Sequence, residues 1–199
     1  MEFLGLDLPS YGWETVLGSA ISGVFLGSIY ALVALGLTLI YGVLHIINFA
    51  HGALLMLAMY AVFFLWKFLG LDPYLAMIIV VPGAYVFGYG LQRGIIGKAS
   101  HGRDEIILLV TLGVSIVIEN AALFFFSASE RSVLVPYDLD GIDLGVTYAV
   151  YPELIALGGS LLITFALWLF MSLTDTGKAI RAVAKERQGA RLVGINVDH

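Results

Sequence analysis

The sequence contains no cysteine, and only 13% of its 199 residues are charged. The absence of cysteine excludes a disulfide framework, a thiolate metal site and a thiol nucleophile. The low charge excludes an ordinary soluble globular domain, in which about 25% of residues are charged and about 45–50% are apolar. Because 60% of this chain is hydrophobic, we expect lipid to be the solvent for much of its surface.

Other absences limit the function. Residues 1–13 include Glu2 and Asp7 but no Lys or Arg, so the positively charged start of a secretory signal peptide is missing and the first hydrophobic run is predicted to be a retained span. The sequence also lacks a phosphate-binding Gly-Lys-Ser/Thr loop, a dinucleotide fingerprint and a Ser–His–Asp pattern. We expect no enzymatic activity, no cofactor and no nucleic-acid partner.

Five hydrophobic runs are long enough to span a bilayer, which takes about 20 apolar residues in a helix. The runs are Val16–Leu44, Ile46–Trp66, Tyr74–Leu91, Ile106–Ser129 and Leu154–Leu173. They do not alternate in polarity as barrel strands do. The sequence therefore predicts an all-α, polytopic transmembrane helical bundle over residues 1–199, in which the join at 41–50 either crosses the membrane or re-enters it.

The basic residues predict the orientation of the spans. Eight of the ten follow the third or the fifth run, namely Arg93, Lys98, Arg103, Lys178, Arg181, Lys185, Arg187 and Arg191. The loop between the fourth and fifth runs is acidic, with Arg131 as its one basic residue. Because cytoplasmic loops are enriched in Lys and Arg, we expect an inner-membrane protein with its N-terminus outside and its C-terminal segment in the cytoplasm. Lys67 is the exception and is expected to snorkel at an external helix end.

One face of the first run is made of small residues. Ser19, Gly23, Gly27 and Ala31 recur every four positions. Small residues let two helices approach closely in a membrane. The face is therefore predicted to pack against another helix, either within this chain or in a second subunit.

The segment 45–52, His-Ile-Ile-Asn-Phe-Ala-His-Gly, is polar between two apolar runs. It is interpreted either as a turn at the membrane surface or as a break in a helix whose Asn48 and His51 face a translocation pathway. His45 and His51 lie six residues apart with no nearby carboxylate, so we expect no metal site there.

The fourth run carries two polar residues, Glu119 and Asn120. A carboxylate inside a membrane is costly, so it usually faces protein or water and often takes part in function. Glu119 is interpreted either as a satisfied carboxylate near the interface or, with Asn120, as part of the translocation pathway.

Residues 174–199 form a basic segment after the last run. Ala179, Ile180, Val183 and Ala184 fall on one helical face, with basic residues around it. A second short helix is predicted over 188–193, ended by Gly194. This segment either lies on anionic lipid or docks a cytoplasmic partner.

Several stretches resemble permeases of branched-chain amino acid ABC transporters, specifically the H-type subunit. They are residues 36–43 (GLTLIYGV), 47–52 (INFAHG), 115–120, 131–133, 177–184 (GKAIRAVA) and 190–196 (ARLVGIN). The combination of the Asn-Phe-Ala-His-Gly run with the Gly-Ile-Asn ending is specific, and the resemblance covers essentially the whole chain.

The resemblance implies a set of partners and a coupling site. The partners would be a second permease subunit, two cytoplasmic ATP-binding subunits and a periplasmic substrate-binding protein that delivers leucine, isoleucine or valine. The residues implied to couple to the ATPases are Gly177, Arg181, Ala182, Ala190 and Gly194. The nucleotide chemistry would then lie in other chains.

Family members continue past the Gly-Ile-Asn motif with further spans, so the chain is expected to be an N-terminal portion. Three alternatives stay open at this point. The cargo could be urea or a short amide, the protein could be a secondary transporter with Glu119 as its proton site, or it could be a non-transporting scaffold.

Overall fold

The computed structural model describes residues 12–44, 47–100, 104–186 and 189–190. Its helices are α1 (Trp13–Leu44), α2 (His51–Leu69), α3 (Pro73–Leu91), α4 (Gly97–Ser100), α5 (Asp104–Phe126), α6 (Tyr151–Leu173) and α7 (Asp175–Lys185), with a π-helical turn at Gln92–Ile96 between α3 and α4. Five helical segments are long and apolar enough to cross a membrane, which confirms the predicted polytopic helical class.

The helix ends follow from local chemistry. Pro73 occupies the first turn of α3, and the Asp72 carboxylate accepts a hydrogen bond from the Tyr74 backbone N–H at 2.9 Å. Gly70 ends α2 in the left-handed conformation, with φ of +65°. Such caps satisfy backbone groups that a helix end leaves free, so α2 and α3 are joined by a tight turn.

The predicted boundary of the second run was wrong. The run was expected to start at Ile46, but α2 begins at His51. The Asn48 side chain accepts a hydrogen bond from the backbone of Ala50 at 3.0 Å, and this local bond competes with helix formation. The helix therefore starts only after the turn.

The chain divides into two units, residues 1–35 with 136–177 and residues 36–135 with 178–199. The first unit contains a hairpin that the sequence did not predict, formed by β1 (Gly141–Asp143) and β2 (Tyr148–Val150). The strands are antiparallel, with Ile142 opposite Ala149. Val146, in the hairpin turn, lies against α1, since a Cβ atom on Gly18 would be only 2.9 Å from the Val146 carbonyl oxygen.

In the second unit, α2 and α5 run in the same direction. The Phe49 backbone N–H donates to Thr111 Oγ1 near the start of both helices. Near their other ends, the Phe64 and Phe126 rings lie 4.9 Å apart. Phe49 and Phe64 are separated by the same number of residues as Thr111 and Phe126. The two helices therefore stay in register along their length.

Candidate functional site

The break between α1 and α2 is a turn organised by Asn48. Its side-chain oxygen accepts from the Ala50 N–H, and its backbone carbonyl accepts from the His51 N–H at 3.2 Å. Ala50 is fully buried, whereas Asn48 and His51 are half-buried. The structure thus places the two predicted pathway residues of this segment at the two ends of one turn, with His51 as the first residue of α2. His45 lies outside the described residues.

Thr111 of α5 fixes this turn. Its hydroxyl accepts the Phe49 N–H at 3.3 Å and donates to the Leu108 carbonyl at 3.1 Å. Thr111 is only 1% exposed. Sequence reasoning missed this residue, although its position one turn before Ser115 and two turns before Glu119 was a usable signal.

The His51 ring lies against α1 at Gly36. A Cβ atom on Gly36 would be 3.3 Å from His51 Cε1 and 3.8 Å from Nε2. The stretches 36–43 and 47–52, which lie close together in sequence, therefore meet at this point. A glycine at position 36 lets the imidazole approach the helix backbone closely.

Polar residues form a line along α5. Thr111 and Ser115 are buried, and the Ser115 hydroxyl donates to Glu119 Oε1 at 2.7 Å. The Asn120 side chain donates to the Ile116 carbonyl at 2.7 Å. Glu119 and Asn120 are both exposed, so their other polar atoms face surroundings that the described residues do not supply.

The structure does not bring the predicted pathway residues Asn48 and His51 together with Glu119 and Asn120. Phe49 of the turn meets α5 at Thr111, and Glu119 lies two helical turns further on, about 12 Å along the axis. The arrangement is a row of hydrogen-bonding groups rather than a catalytic cluster. Among the described residues, no group of three or more His, Cys, Asp or Glu side chains is placed to hold a metal ion.

The joint between α6 and α7 is tightly packed. The Thr174 hydroxyl accepts from the Gly177 N–H at 3.0 Å and donates to the Phe170 carbonyl at 2.6 Å. A Cβ atom on Gly177 would lie 2.6 Å from Met171 Cα and 2.7 Å from the Met171 carbonyl oxygen. Because these contacts are with backbone, Gly177 is the residue that allows α7 to begin directly against the end of α6.

The other predicted coupling residues follow Gly177. Arg181 is exposed on α7 and Ala182 is half-buried. The Ala182 carbonyl accepts from the Glu186 N–H at 3.0 Å, and the Glu186 carbonyl accepts from the N–H of buried Ala190 at 3.0 Å. Gly194, and most of the helix predicted over 188–193, lie outside the described residues.

The small-residue face of α1 is open within the described part of the chain. Ser19, Gly23, Gly27 and Ala31 are all exposed. A Cβ atom on Gly23 or Gly27 would meet no described atom within 4 Å. Gly18, one position from Ser19, is in close contact with the turn of the hairpin. The packing role of the small-residue face stays a prediction.

Comparison with known proteins gives a consistent answer. Residues 19–199 match the family described as "Branched-chain amino acid transport system / permease component". The chain is 31% identical over 188 residues to the high-affinity branched-chain amino acid transport system permease protein BraD of Pseudomonas aeruginosa, covering 88% of this chain and 61% of BraD.

Two further relatives carry related descriptions. The permease protein LivH of Escherichia coli K12 is 30% identical over 195 residues, covering 89% of this chain and 61% of LivH. A probable branched-chain amino acid transport permease protein of Methanocaldococcus jannaschii is 27% identical over 203 residues, covering 97% of this chain and 62% of that protein. The chain thus spans about 61% of the length of the first curated relatives. No solved structure matches it significantly.

Proposed function

Because this chain belongs to the permease-component family of branched-chain amino acid transport systems, we propose that it is the membrane-spanning permease subunit of an ATP-driven importer. Its partners are a second permease subunit, two cytoplasmic ATP-binding subunits and a periplasmic substrate-binding protein. Its cargo is leucine, isoleucine or valine, the class named for its relatives. Nucleotide hydrolysis takes place in the partner ATPases.

The observation that carries the coupling role is the joint between α6 and α7. The hydroxyl of Thr174 and the absence of a side chain at Gly177 fix where α7 starts relative to the end of α6. Helix α7 is amphipathic, with Ile180 and Val183 half-buried and Arg181 exposed. A short cationic helix whose first turn abuts the end of a membrane span can transmit a push from a bound ATPase to that span.

The depth of the Asn48 turn in the membrane supports a pathway role for its residues. The turn at Phe49 is level with Thr111, which lies five residues after Ile106, where the fourth span begins. At 1.5 Å per residue the turn is about 7.5 Å inside that boundary. Irregular backbone at such a depth is tolerated where protein or a water-filled cavity surrounds it, so we propose that Asn48 and His51 face the pathway.

Glu119 and Asn120 supply a second stretch of the pathway. Glu119 lies past the middle of α5 and is exposed on this chain, with one recorded hydrogen bond from Ser115. A carboxylate in that position is stable when it faces water or a partner subunit.

The test is uptake of labelled leucine by vesicles that contain the full permease and its partner subunits. We expect uptake that requires ATP and survives an ionophore that collapses the proton gradient. Urea should not compete with leucine. Uptake that is driven by the proton gradient without ATP would contradict the proposal and favour a secondary transporter.

The matched variants are Gly177→Ala and Gly158→Ala. Gly177→Ala forces a Cβ into the backbone of Met171 and should lower ATP-dependent uptake about tenfold or more. Gly158 is also a glycine of the same region, on α6, but a Cβ there meets nothing within 4 Å, so its variant should transport normally. If the two variants took up leucine equally well, the joint between α6 and α7 would have no role in coupling.

A further inference from the structure

A cationic cavity lies at the end of α2. It has a volume of about 450 Å³ and is lined by Phe63, Trp66 and Lys67 of α2 and by Ser129, Arg131 and Ser132 of the segment after α5. Two of these side chains are cations and two carry hydroxyl groups. Glu130 also borders the cavity, but no carboxylate among the described residues lies within ion-pair distance of Lys67 or Arg131.

The two cations share one aromatic ring. Lys67 Nζ lies 5.7 Å from the centroid of Phe63, and the Arg131 guanidinium carbon lies 5.3 Å from the same centroid. Arg131 is also 5.7 Å from the Phe64 centroid. Cation–π contacts hold each cation in place, but the two positive charges repel each other. An anion bound in the cavity would offset both positive charges.

Arg131 keeps a free donor in this position. One terminal nitrogen of its guanidinium donates to the Phe126 carbonyl at the end of α5. Its Nε atom is buried and makes no hydrogen bond. A buried donor without a partner is costly, so the described residues leave the hydrogen-bonding capacity of this guanidinium partly unfilled.

The cavity lies at the level of the membrane boundary. Phe64 is level with Phe126, where the fourth span ends. Lys67 lies about 4.5 Å beyond that level, beside Trp66. Aromatic residues concentrate at this depth, together with the lipid headgroups. This placement holds whichever side of the membrane the end of α2 faces.

An apolar groove runs down the neighbouring face of α2. It has a volume of about 560 Å³ and lies between α2 and α3, with Leu57, Phe64 and Phe68 on one wall and Val80 and Phe87 on the other. Phe64 borders this groove and also contacts Arg131. A molecule with a charged head and an apolar tail would meet complementary surfaces at both ends.

We propose that Lys67 and Arg131 bind the phosphate of an anionic phospholipid, whose acyl chain lies in the groove between α2 and α3. The two cations supply charge, and the hydroxyls of Ser129 and Ser132 provide hydrogen-bond donors for the phosphate oxygens. The site is separate from the pathway and coupling residues and does not rest on the proposed transport function.

The test uses the purified full chain in neutral detergent, with phosphatidylglycerol as the anionic probe and phosphatidylcholine as the neutral one. Native mass spectrometry counts the lipid molecules that stay bound as each lipid is titrated. We expect phosphatidylglycerol to be retained in preference to phosphatidylcholine. The variant Lys67→Gln should weaken its retention about fivefold, as for the loss of one basic residue near a lipid surface, and Lys67→Arg should restore it.

The control is Lys98→Gln, which removes the same charge from an exposed position on α4. It should leave retention unchanged. Equal weakening by Lys98→Gln, or equal retention of the two lipids by the wild-type chain, would overturn the proposal. A third arm adds glycerol 3-phosphate: if this soluble phosphate displaces the lipid at similar concentration, the site binds free phosphates and the acyl chain contributes nothing.

Discussion

A single hydroxyl on α5 holds the turn that carries Asn48. Thr111 accepts the Phe49 N–H and is itself almost fully buried. The variant Thr111→Val keeps the shape of the side chain but leaves that N–H without its partner. We expect the free energy of unfolding to fall by about 1 kcal/mol, measured by denaturation of the purified chain in detergent. Uptake by the full permease should also fall, because the turn that carries Asn48 and His51 is no longer held against α5.

The control for this change is Thr164→Val on α6. Thr164 is exposed, and its side chain makes no hydrogen bond with the described residues, so its variant should be as stable as the wild type. If Thr111→Val were also as stable as the wild type, the hydrogen bond to Phe49 would have no structural weight.

At the scale of residues, sequence reasoning found the unusual side chains but not their partners. Asn48, His51 and Glu119 were identified because polar groups are rare inside apolar runs. Thr111 and Gly36 were missed as partners because a threonine or a glycine is common in membrane helices. The role of Thr111 depends on a contact with a residue 62 positions away in the sequence, and that of Gly36 on a contact across the break between α1 and α2. Neither contact is encoded in a local pattern.

Helix α7 is an element whose charge can be tested separately from its packing. Arg181 is exposed, and Ile180 and Val183 are half-buried on the other side of the helix. The variant Arg181→Glu reverses a charge without disturbing the packed face. We expect it to reduce co-purification of the ATP-binding subunit with the full permease about tenfold, while the amount of permease in the membrane stays the same.

Lys98→Glu is the matched charge reversal for Arg181→Glu. Lys98 is exposed on α4, is predicted to lie on the same side of the membrane and is not part of α7. It should co-purify the ATPase normally. An equal loss with both variants would indicate a general charge attraction to that side rather than docking on α7.

At the scale of elements, the hydrophobic runs predicted the five long helices and most of their ends. The hairpin at 141–150 was missed, because its strands are only three residues long and are held by pairing and by contact with Gly18. The start of α2 was misplaced because hydropathy cannot distinguish Ile47 from a helical residue. The side-chain bond from Asn48 to the backbone decides that boundary.

For the whole molecule, the direction of the helices bears on topology. Since α2 and α5 run in the same direction and are held in register at both ends, the segment α3–α4 between them must return across the membrane. This alternation agrees with the distribution of Lys and Arg. Lys98 and Ser129 lie at opposite ends of α5. The helix directions and the distribution of Lys and Arg therefore both place them on opposite sides of the membrane.

The absence of cysteine makes this topology directly testable. Three exposed positions accept a single cysteine each, Lys98→Cys, Ser129→Cys and Glu186→Cys, and a membrane-impermeant maleimide is applied to intact cells. We expect only Ser129→Cys to be labelled, because α5 separates it from Lys98 and α6 separates it from Glu186. The other two should react after the membrane is permeabilised. Labelling of Glu186→Cys in intact cells would place the basic segment outside, where no cytoplasmic ATPase could reach α7, and the proposed coupling would then be wrong.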